Sequence, residues 1–213
     1  DYIMKKLKLI LSATTLAFLT SCGGGETKKE MTESATKESE MAESITYNVD
    51  PTSSNVMWKG EVAGVYAHTG VIAIQEGSIE IANETISGGK IVIDMTTITP
   101  TDTASYKDED GHRAEDLIGH LSTGDFFLVD SFPTAHFVIK SHADGKLIGD
   151  LTVRGITNEE TIDVATMEVT EEGFTATGTL VFNRQDYDVS WKHYMKDMVL
   201  SNDISLNLEV SGK

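Results

Sequence analysis

The chain has 213 residues, of which 39% are hydrophobic, and it carries a formal net charge of −17 at pH 7. This length suits one domain of ordinary size with an additional short segment. The acidic surplus excludes nucleic acid as a partner, because phosphates would be repelled and no basic stripe exists to release counterions.

The N-terminal segment has the pattern of a lipoprotein signal. A basic patch follows Met4, an apolar run extends from Leu7 to Leu19, and small residues precede Cys22. The run is shorter than the ~20 residues that span a bilayer. We therefore predict a signal peptide over residues 1–21, with residues 1–3 lying upstream of the true start.

Cys22 is the single cysteine of the chain, so no internal disulfide is available to it. Acylation would remove a reactive exported thiol, and we predict that Cys22 is a lipid anchor. The alternative is a buried or accidental thiol. We therefore expect an exported protein held in the cell envelope, on the periplasmic face of the outer membrane or the cell surface. Gly23, in place of an acidic residue, follows the cysteine and favours the outer membrane by analogy with enterobacterial sorting.

We predict a disordered linker over residues 22–45. This stretch is rich in Gly, Glu, Lys, Thr and Ser, so it buries too little apolar surface to offset the entropy lost on ordering. The chain beyond it alternates between apolar and polar residues, which is typical of strands with one dry face. Strands are predicted over Ser54–Ala63, His68–Gln75, Ser78–Ala82, Lys90–Thr97, Thr134–Ser141, Leu147–Val153, Thr161–Val169, Phe174–Phe182 and Ile204–Val210.

Short loops are predicted at Glu76-Gly77, Gly88-Gly89, Asp144-Gly145 and Glu171–Gly173, whose residues favour hairpins. Only Arg113–Leu121 has the composition of a short helix. Alternation alone does not decide between a sandwich and a closed barrel. Small residues on the inward faces favour a hollow interior, unless large side chains pack over them. These residues are Gly60, Gly149, Ala176 and Gly178.

Five stretches together resemble the signature of the YceI-like family of lipocalin-like, isoprenoid-binding proteins. They are Ile93–Thr96, Phe132–Phe137, His120–Phe127, Gly149–Thr157 and Phe182–Tyr187. The resemblance covers Thr46 to Gly212 and implies that residues 46–213 form an all-β, antiparallel, eight-stranded barrel with a short helix in one connection. It also implies one long apolar lipid as the ligand. Tyr187-Asp188 departs from the family, which commonly has Phe-Gly there.

Strand parity and this resemblance give a set of candidate ligand contacts. His120 matches the His-Leu pair of the family, and Arg184 shares the inward parity of Phe182, so both are expected to meet a polar head group. Arg154 has outward parity, which favours a structural pair with a carboxylate. The predicted apolar lining consists of Trp58, Phe126, Phe127, Phe137, Ile139, Leu151, Val153, Leu180, Phe182 and Trp191.

No sequence motif for a hydrolase elbow, a zinc protease or a phosphate loop is present, so we predict no catalytic residue, no metal site and no cofactor. The Asp108–Gly111 stretch resembles part of a calcium loop but has Tyr106 and Leu117 at two ligand positions. We read Thr99–Glu115 as a mobile loop near a barrel rim.

The expected function is that of a membrane-tethered binding or carrier protein for a polyisoprenoid, an isoprenoid quinone or a fatty-chain molecule. Two alternatives stay open: an interaction module of the cell envelope with a packed barrel, and a lipid-modifying enzyme. The sequence also leaves open whether two barrels pair as a homodimer.

Overall fold

The computed structural model describes residues 43–192 and 199–213. The predicted signal peptide, Cys22 and the predicted linker up to residue 42 lie outside the described residues, so export and acylation stay predictions.

The described chain is built almost entirely from strands. The nine strands of the described ranges are β1 (Ile45–Asn48), β2 (Asn55–Val62), β3 (Tyr66–Ala82), β4 (Thr85–Pro100), β5 (Thr134–Ala143), β6 (Lys146–Val153), β7 (Ile156–Thr170), β8 (Gly173–Asn183) and β9 (Asp203–Gly212). The helix α1 (Ala114–Ser122) lies in the connection between β4 and β5, and two 3-10 helices cover Thr103–Ser105 and Arg184–Tyr187.

Strands β2 to β9 form a closed antiparallel barrel. The sheet order is β1-β3-β2-β9-β8-β7-β6-β5-β4, and a further pairing of β3 with β4 closes the ring. Strand β1 lies outside this ring of eight and pairs with the last part of β3, where Ile45 faces Ile81. The eight-stranded barrel with a short helix in one connection is therefore confirmed.

The two ends of the barrel differ. The end that carries the β3–β4, β5–β6 and β7–β8 turns, here called the packed end, is filled by large apolar side chains. Tyr47 of β1 and Phe174 of β8 meet there edge to face at 5.7 Å, beside buried Ile81, Ile86 and Leu147. The opposite end, here called the mouth, carries the longer connections between β4 and β5 and between β8 and β9.

Two of the four predicted turns are wrong. Glu76-Gly77 lies inside the continuous strand β3, and Gly88-Gly89 lies inside β4. Strands β3 and β4 pair irregularly here, and their backbones come too close for a side chain. A β-carbon at Gly89 would lie 2.3 Å from the carbonyl oxygen of Ser78. The turn between β3 and β4 is instead Asn83-Glu84, where both residues have positive φ.

The other two predicted turns are confirmed at Asp144-Gly145 and after Thr170. Helix α1 begins one residue later than predicted, and the Asp116 carboxylate accepts hydrogen bonds from the backbone amides of Gly111 and Arg113 at 2.9 Å. These contacts satisfy amides at the N-terminus of the helix. Within the described ranges, no helix has both the length and the apolar character to span a bilayer.

Candidate functional site

A cavity of about 920 Å³ occupies the mouth half of the barrel interior. Its walls come from β2, β3, β4, β5, β6, β8 and β9, and helix α1 and the loops of the mouth close around it. Residues of the packed end such as Tyr47, Ile86 and Phe174 are not part of the wall. The volume lies in the upper part of the range for sites that hold one small molecule.

The fully packed barrel expected of an interaction module is therefore not observed. Small inward residues were predicted to leave the interior hollow, and this is only partly right. The Phe137 ring covers Gly149 so closely that a β-carbon there would lie 2.5 Å from the ring. Gly178 is likewise crowded by Ile162. Gly60 alone of the four small residues lies on the cavity wall, where a β-carbon would first meet Ile204 at 3.7 Å.

Most of the predicted apolar lining does lie on the wall. Seven of the ten residues line the cavity: Trp58, Phe126, Phe127, Leu151, Val153, Phe182 and Trp191. The other three, Phe137, Ile139 and Leu180, are buried in the core outside the wall. Inward parity predicts that a side chain points into the barrel, but it does not distinguish the packed end from the hollow half at the mouth. Contact of any of these residues with a ligand stays a prediction.

An aromatic cluster closes part of the mouth. The Phe126 and Trp191 rings lie 5.5 Å apart, and the His120 ring meets both edge to face, at 5.0 Å and 4.9 Å. These separations are those of favourable aromatic pairs. The residues come from α1 and from two connections, so the cluster ties these segments together beside the cavity.

His120 lines the cavity from helix α1, and its contact with a head group stays a prediction. Its Nε2 atom lies 3.6 Å from an Asp125 carboxylate oxygen, and its side chain is 36% exposed. The imidazole therefore has both a structural role in the aromatic cluster and a polar edge that can reach a ligand.

Arg184 also lines the cavity, although only 2% of the residue is exposed. Its guanidinium donates to the backbone oxygens of Ser201, at 2.9 Å, and Val189, and to the Asn202 side chain at 3.4 Å. Among the described residues, no carboxylate pairs with it. Burial lowers the pKa of Arg184 below its usual range.

Three hydrogen bonds leave part of the guanidinium unused. The group carries five N–H donors, so two have no protein acceptor in the described ranges. A buried cation with free donors on a cavity wall can donate hydrogen bonds to an anionic or carbonyl oxygen of a ligand.

Arg154 has a structural role, although the predicted outward parity does not apply to it, because strand β6 ends at Val153. It lies in the tight turn between β6 and β7 with φ of 52°, and its side chain donates to the backbone oxygen of Phe126 at 2.7 Å and to that of Asp188. The Asp188 carboxylate lies 3.5 Å away. Asp188 has a φ of 58° at the position where the family commonly has glycine. Aspartate therefore adopts the left-handed backbone conformation that glycine favours at this turn.

Tyr187, beside this turn, is fully buried and donates from its hydroxyl to Glu160 at 2.9 Å. Burial, together with this hydrogen bond, raises the pKa of Tyr187. The phenol therefore stays a neutral donor that fixes the 3-10 helix carrying Arg184.

A second polar group on the wall was missed by the sequence reasoning. His68 of β3 and Tyr106 both line the cavity, and both contact Asp102. His68 Nδ1 lies 2.8 Å from one Asp102 oxygen, and the Tyr106 hydroxyl donates to the other at 2.9 Å. The two rings stack with centroids 5.5 Å apart. No local pattern links residues that are 34 positions apart.

The pKa shifts of this group follow from its contacts. Burial raises the pKa of Tyr106, and the hydrogen bond to Asp102 raises it further. Burial alone would raise the pKa of Asp102, but hydrogen bonds from His68, Ser105 and Tyr106 outweigh it and lower the pKa. Asp102 is thus a carboxylate and Tyr106 a neutral phenol over the ordinary pH range.

The acidic stretch that resembles a calcium loop is engaged with Arg113. Its guanidinium lies 3.2 Å from Asp108 and 2.7 Å from Asp110. In residues 43–192 and 199–213, no cluster of three or more His, Cys, Asp or Glu side chains could hold a metal ion. The Thr99–Glu115 segment lies at the rim, as predicted, and contributes Ser105, Tyr106 and His112 to the wall.

Comparison with solved structures identifies the fold. BcnA of Burkholderia cenocepacia aligns over 78% of this chain and 99% of its own, with a TM-score of 0.56 and 17% identity. A polyisoprenoid binding domain from Saccharophagus degradans aligns over 78% of this chain and 97% of its own, with a TM-score of 0.53 and 13% identity. At such identities the likeness shows a shared fold.

Among curated proteins, a UPF0312 protein of Staphylococcus aureus strain MSSA476 is 39% identical over 93 residues, which are 40% of this chain and 54% of the relative. The chain thus spans about half the length of the curated relatives it matches. The YceI-like domain matches residues 47–212, which include every strand from Tyr47 onward. The chain belongs to the YceI-like family.

Proposed function

We propose that this protein is a membrane-tethered, extracytoplasmic carrier for one long apolar lipid, such as a polyisoprenoid, an isoprenoid quinone or a fatty-chain molecule. The observation that carries the proposal is the 920 Å³ cavity with largely apolar walls in a barrel whose other end is filled. The shared fold with a polyisoprenoid binding domain supports the choice of lipid class.

Burial of the tail supplies the affinity. Each methylene removed from water contributes about 0.8 kcal/mol, so a twenty-carbon tail gains roughly 15 kcal/mol before ordering costs. A tail inside a membrane is already dry, and there the gain nearly vanishes. The protein therefore acts as a carrier or reservoir across an aqueous gap, and the proposal requires no catalytic residue.

His120 and Arg184 are the proposed contacts of an oxygen-rich head group. Both lie on the cavity wall at the mouth, and both can donate hydrogen bonds. A tail that points away from them reaches the apolar wall formed by residues such as Trp58, Leu151 and Phe182.

The tether rests on Cys22 and on the linker that follows it. An acyl anchor at Cys22 would hold the protein on a membrane surface, and a flexible linker of this length would let the barrel move roughly 25 Å from the anchor. This arrangement suits a protein that loads and unloads lipid beside a membrane.

Filling the cavity tests the proposal. Gly60→Leu places a side chain in the cavity, and we expect at least a tenfold loss of affinity for geranylgeraniol, followed by quenching of tryptophan fluorescence. Gly119→Leu is the matched control, because Gly119 is exposed on helix α1 with no atom within 4 Å of a β-carbon.

The same preparations are examined by native mass spectrometry after mild organic extraction. We expect the wild-type protein and the Gly119 variant to release a co-purified apolar molecule, and the Gly60 variant to release none. A wild-type protein that carries no lipid, and whose melting temperature does not respond to added isoprenoids, contradicts the carrier function.

A further inference from the structure

The polar group of His68, Asp102 and Tyr106 forms a second polar region on the cavity wall, separate in sequence from His120 and Arg184. His68 and Tyr106 face the cavity, whereas Asp102 lies behind them and contacts both. A carboxylate that holds two side chains in place gives them a fixed orientation toward a ligand.

The hydrogen bonds fix which atoms are donors. A carboxylate can only accept, so the Nδ1 atom of His68 carries the proton that is shared with Asp102. The Tyr106 hydroxyl donates to the other Asp102 oxygen, and its oxygen lies 3.0 Å from His68 Nδ1. In the uncharged imidazole this arrangement places the lone pair on Nε2, and the phenol oxygen keeps a second lone pair.

In this uncharged form both free positions are acceptors. In the described ranges, no hydrogen bond occupies the Nε2 atom of His68. The negative charge of Asp102 directly behind the pair disfavours a phosphate or carboxylate at this point. This region thus has the opposite preference to Arg184, which offers only donors.

We propose that His68 and Tyr106, oriented by Asp102, form a subsite for a hydroxyl group of the bound lipid. The inference rests on the proposed carrier function and narrows it, because it selects lipid alcohols over lipids that lack a hydrogen-bond donor. The hydroxyl donates to His68 Nε2 or to the Tyr106 oxygen, while the tail lies against the apolar wall.

The test compares geranylgeraniol with its methyl ether, which has the same tail and no donor. Dissociation constants are measured with the whole protein by quenching of the tryptophans that line the cavity, Trp58 and Trp191. We expect the wild-type protein to prefer the alcohol by about fivefold, the value of one net hydrogen bond.

Three variants test whether the preference for the alcohol over the ether comes from His68 and Tyr106. Tyr106→Phe and His68→Phe are each expected to reduce the ratio of the two constants, and the double variant is expected to bring it to about one. Tyr47→Phe is the matched control, since Tyr47 lies at the packed end outside the cavity wall and its hydroxyl makes no hydrogen bond in the described ranges. This control is expected to keep the wild-type ratio.

The outcomes separate the subsite from the carrier function. Equal affinities of the wild-type protein for the alcohol and the ether overturn the subsite and leave the carrier function standing. A double variant that keeps the wild-type ratio also overturns the subsite. If the wild-type protein binds neither compound, the carrier function fails and the subsite fails with it.

Discussion

Arg154 joins three separate segments at the mouth of the barrel. From the β6–β7 turn it donates to the backbone of Phe126, which follows α1, and of Asp188, which follows the last 3-10 helix. Only 10% of its side chain is exposed. The planar guanidinium reaches these acceptors at once, which the single ammonium group of lysine does not.

We expect Arg154→Lys to lower the free energy of unfolding by about 1–2 kcal/mol, because at least one buried carbonyl loses its donor. The urea midpoint measures the change. The matched control is Arg113→Lys. Its arginine side chain is 41% exposed and, among the described residues, pairs only with surface carboxylates, so the expected effect is below about 0.5 kcal/mol. Equal losses for the two variants would argue against the role given to Arg154.

The site residues differ in how far sequence could locate them. Strand parity and the family motifs placed Phe182, Arg184 and His120 beside the cavity. They could not separate the wall from the core, as Phe137 shows, because both have inward parity. His68 and Asp102 meet only through the closure of β3 on β4 and the loop that follows, which is information that a single sequence does not contain.

Turns and strand irregularities account for the errors in the predicted elements. Glycine is compatible with a turn and also with a place where two backbones come close, and Gly77 and Gly89 are of the second kind. Glutamate is uncommon at positive φ, so the turn at Asn83-Glu84 has a weak signature. The strands with regular alternation, such as β6 and β8, were predicted almost to the residue.

The connection between β1 and β2 depends on Asp50. Its carboxylate accepts hydrogen bonds from the Thr52 amide at 2.9 Å, the Thr52 hydroxyl at 2.7 Å and the Ser53 hydroxyl at 2.8 Å. These bonds, led by the one from the Thr52 side chain, lower the pKa of Asp50 from 3.8 to about 2. The ionised form thus stabilises the turn that leads the chain from β1 into the barrel.

Because the folded-state pKa lies below the unfolded one, the contribution of Asp50 is present above pH 3.8 and is lost as the pH falls toward about 2. We expect Asp50→Asn to lower the urea midpoint at pH 6, and the difference from the wild-type protein to shrink when both are measured at pH 2.5. A difference that is the same at both pH values would contradict this assignment.

The whole molecule combines a proposed acyl anchor with a barrel that is filled at one end and hollow at the other. The two parts would have separate tasks, since the chain's net charge of −17 opposes electrostatic adhesion to anionic lipid. The anchor would then set where the protein is found, and the cavity would set what it carries.

We therefore expect Cys22→Ser to move the protein from the membrane fraction to the soluble envelope fraction without changing its affinity for geranylgeraniol. Cell fractionation and the fluorescence assay measure the two properties. The Gly60→Leu variant is the complementary control, since it is expected to stay with the membrane and lose affinity. A Cys22 variant that is still bound to membranes would refute the anchor.

The filled end of the barrel has a consequence for traffic. Under the proposed carrier function, a bound lipid would leave through the mouth by which it entered, because the packed end offers no second opening. Each delivery would then empty the cavity before another lipid enters. One copy would carry one lipid at a time, so the number of copies would set how much lipid is in transit.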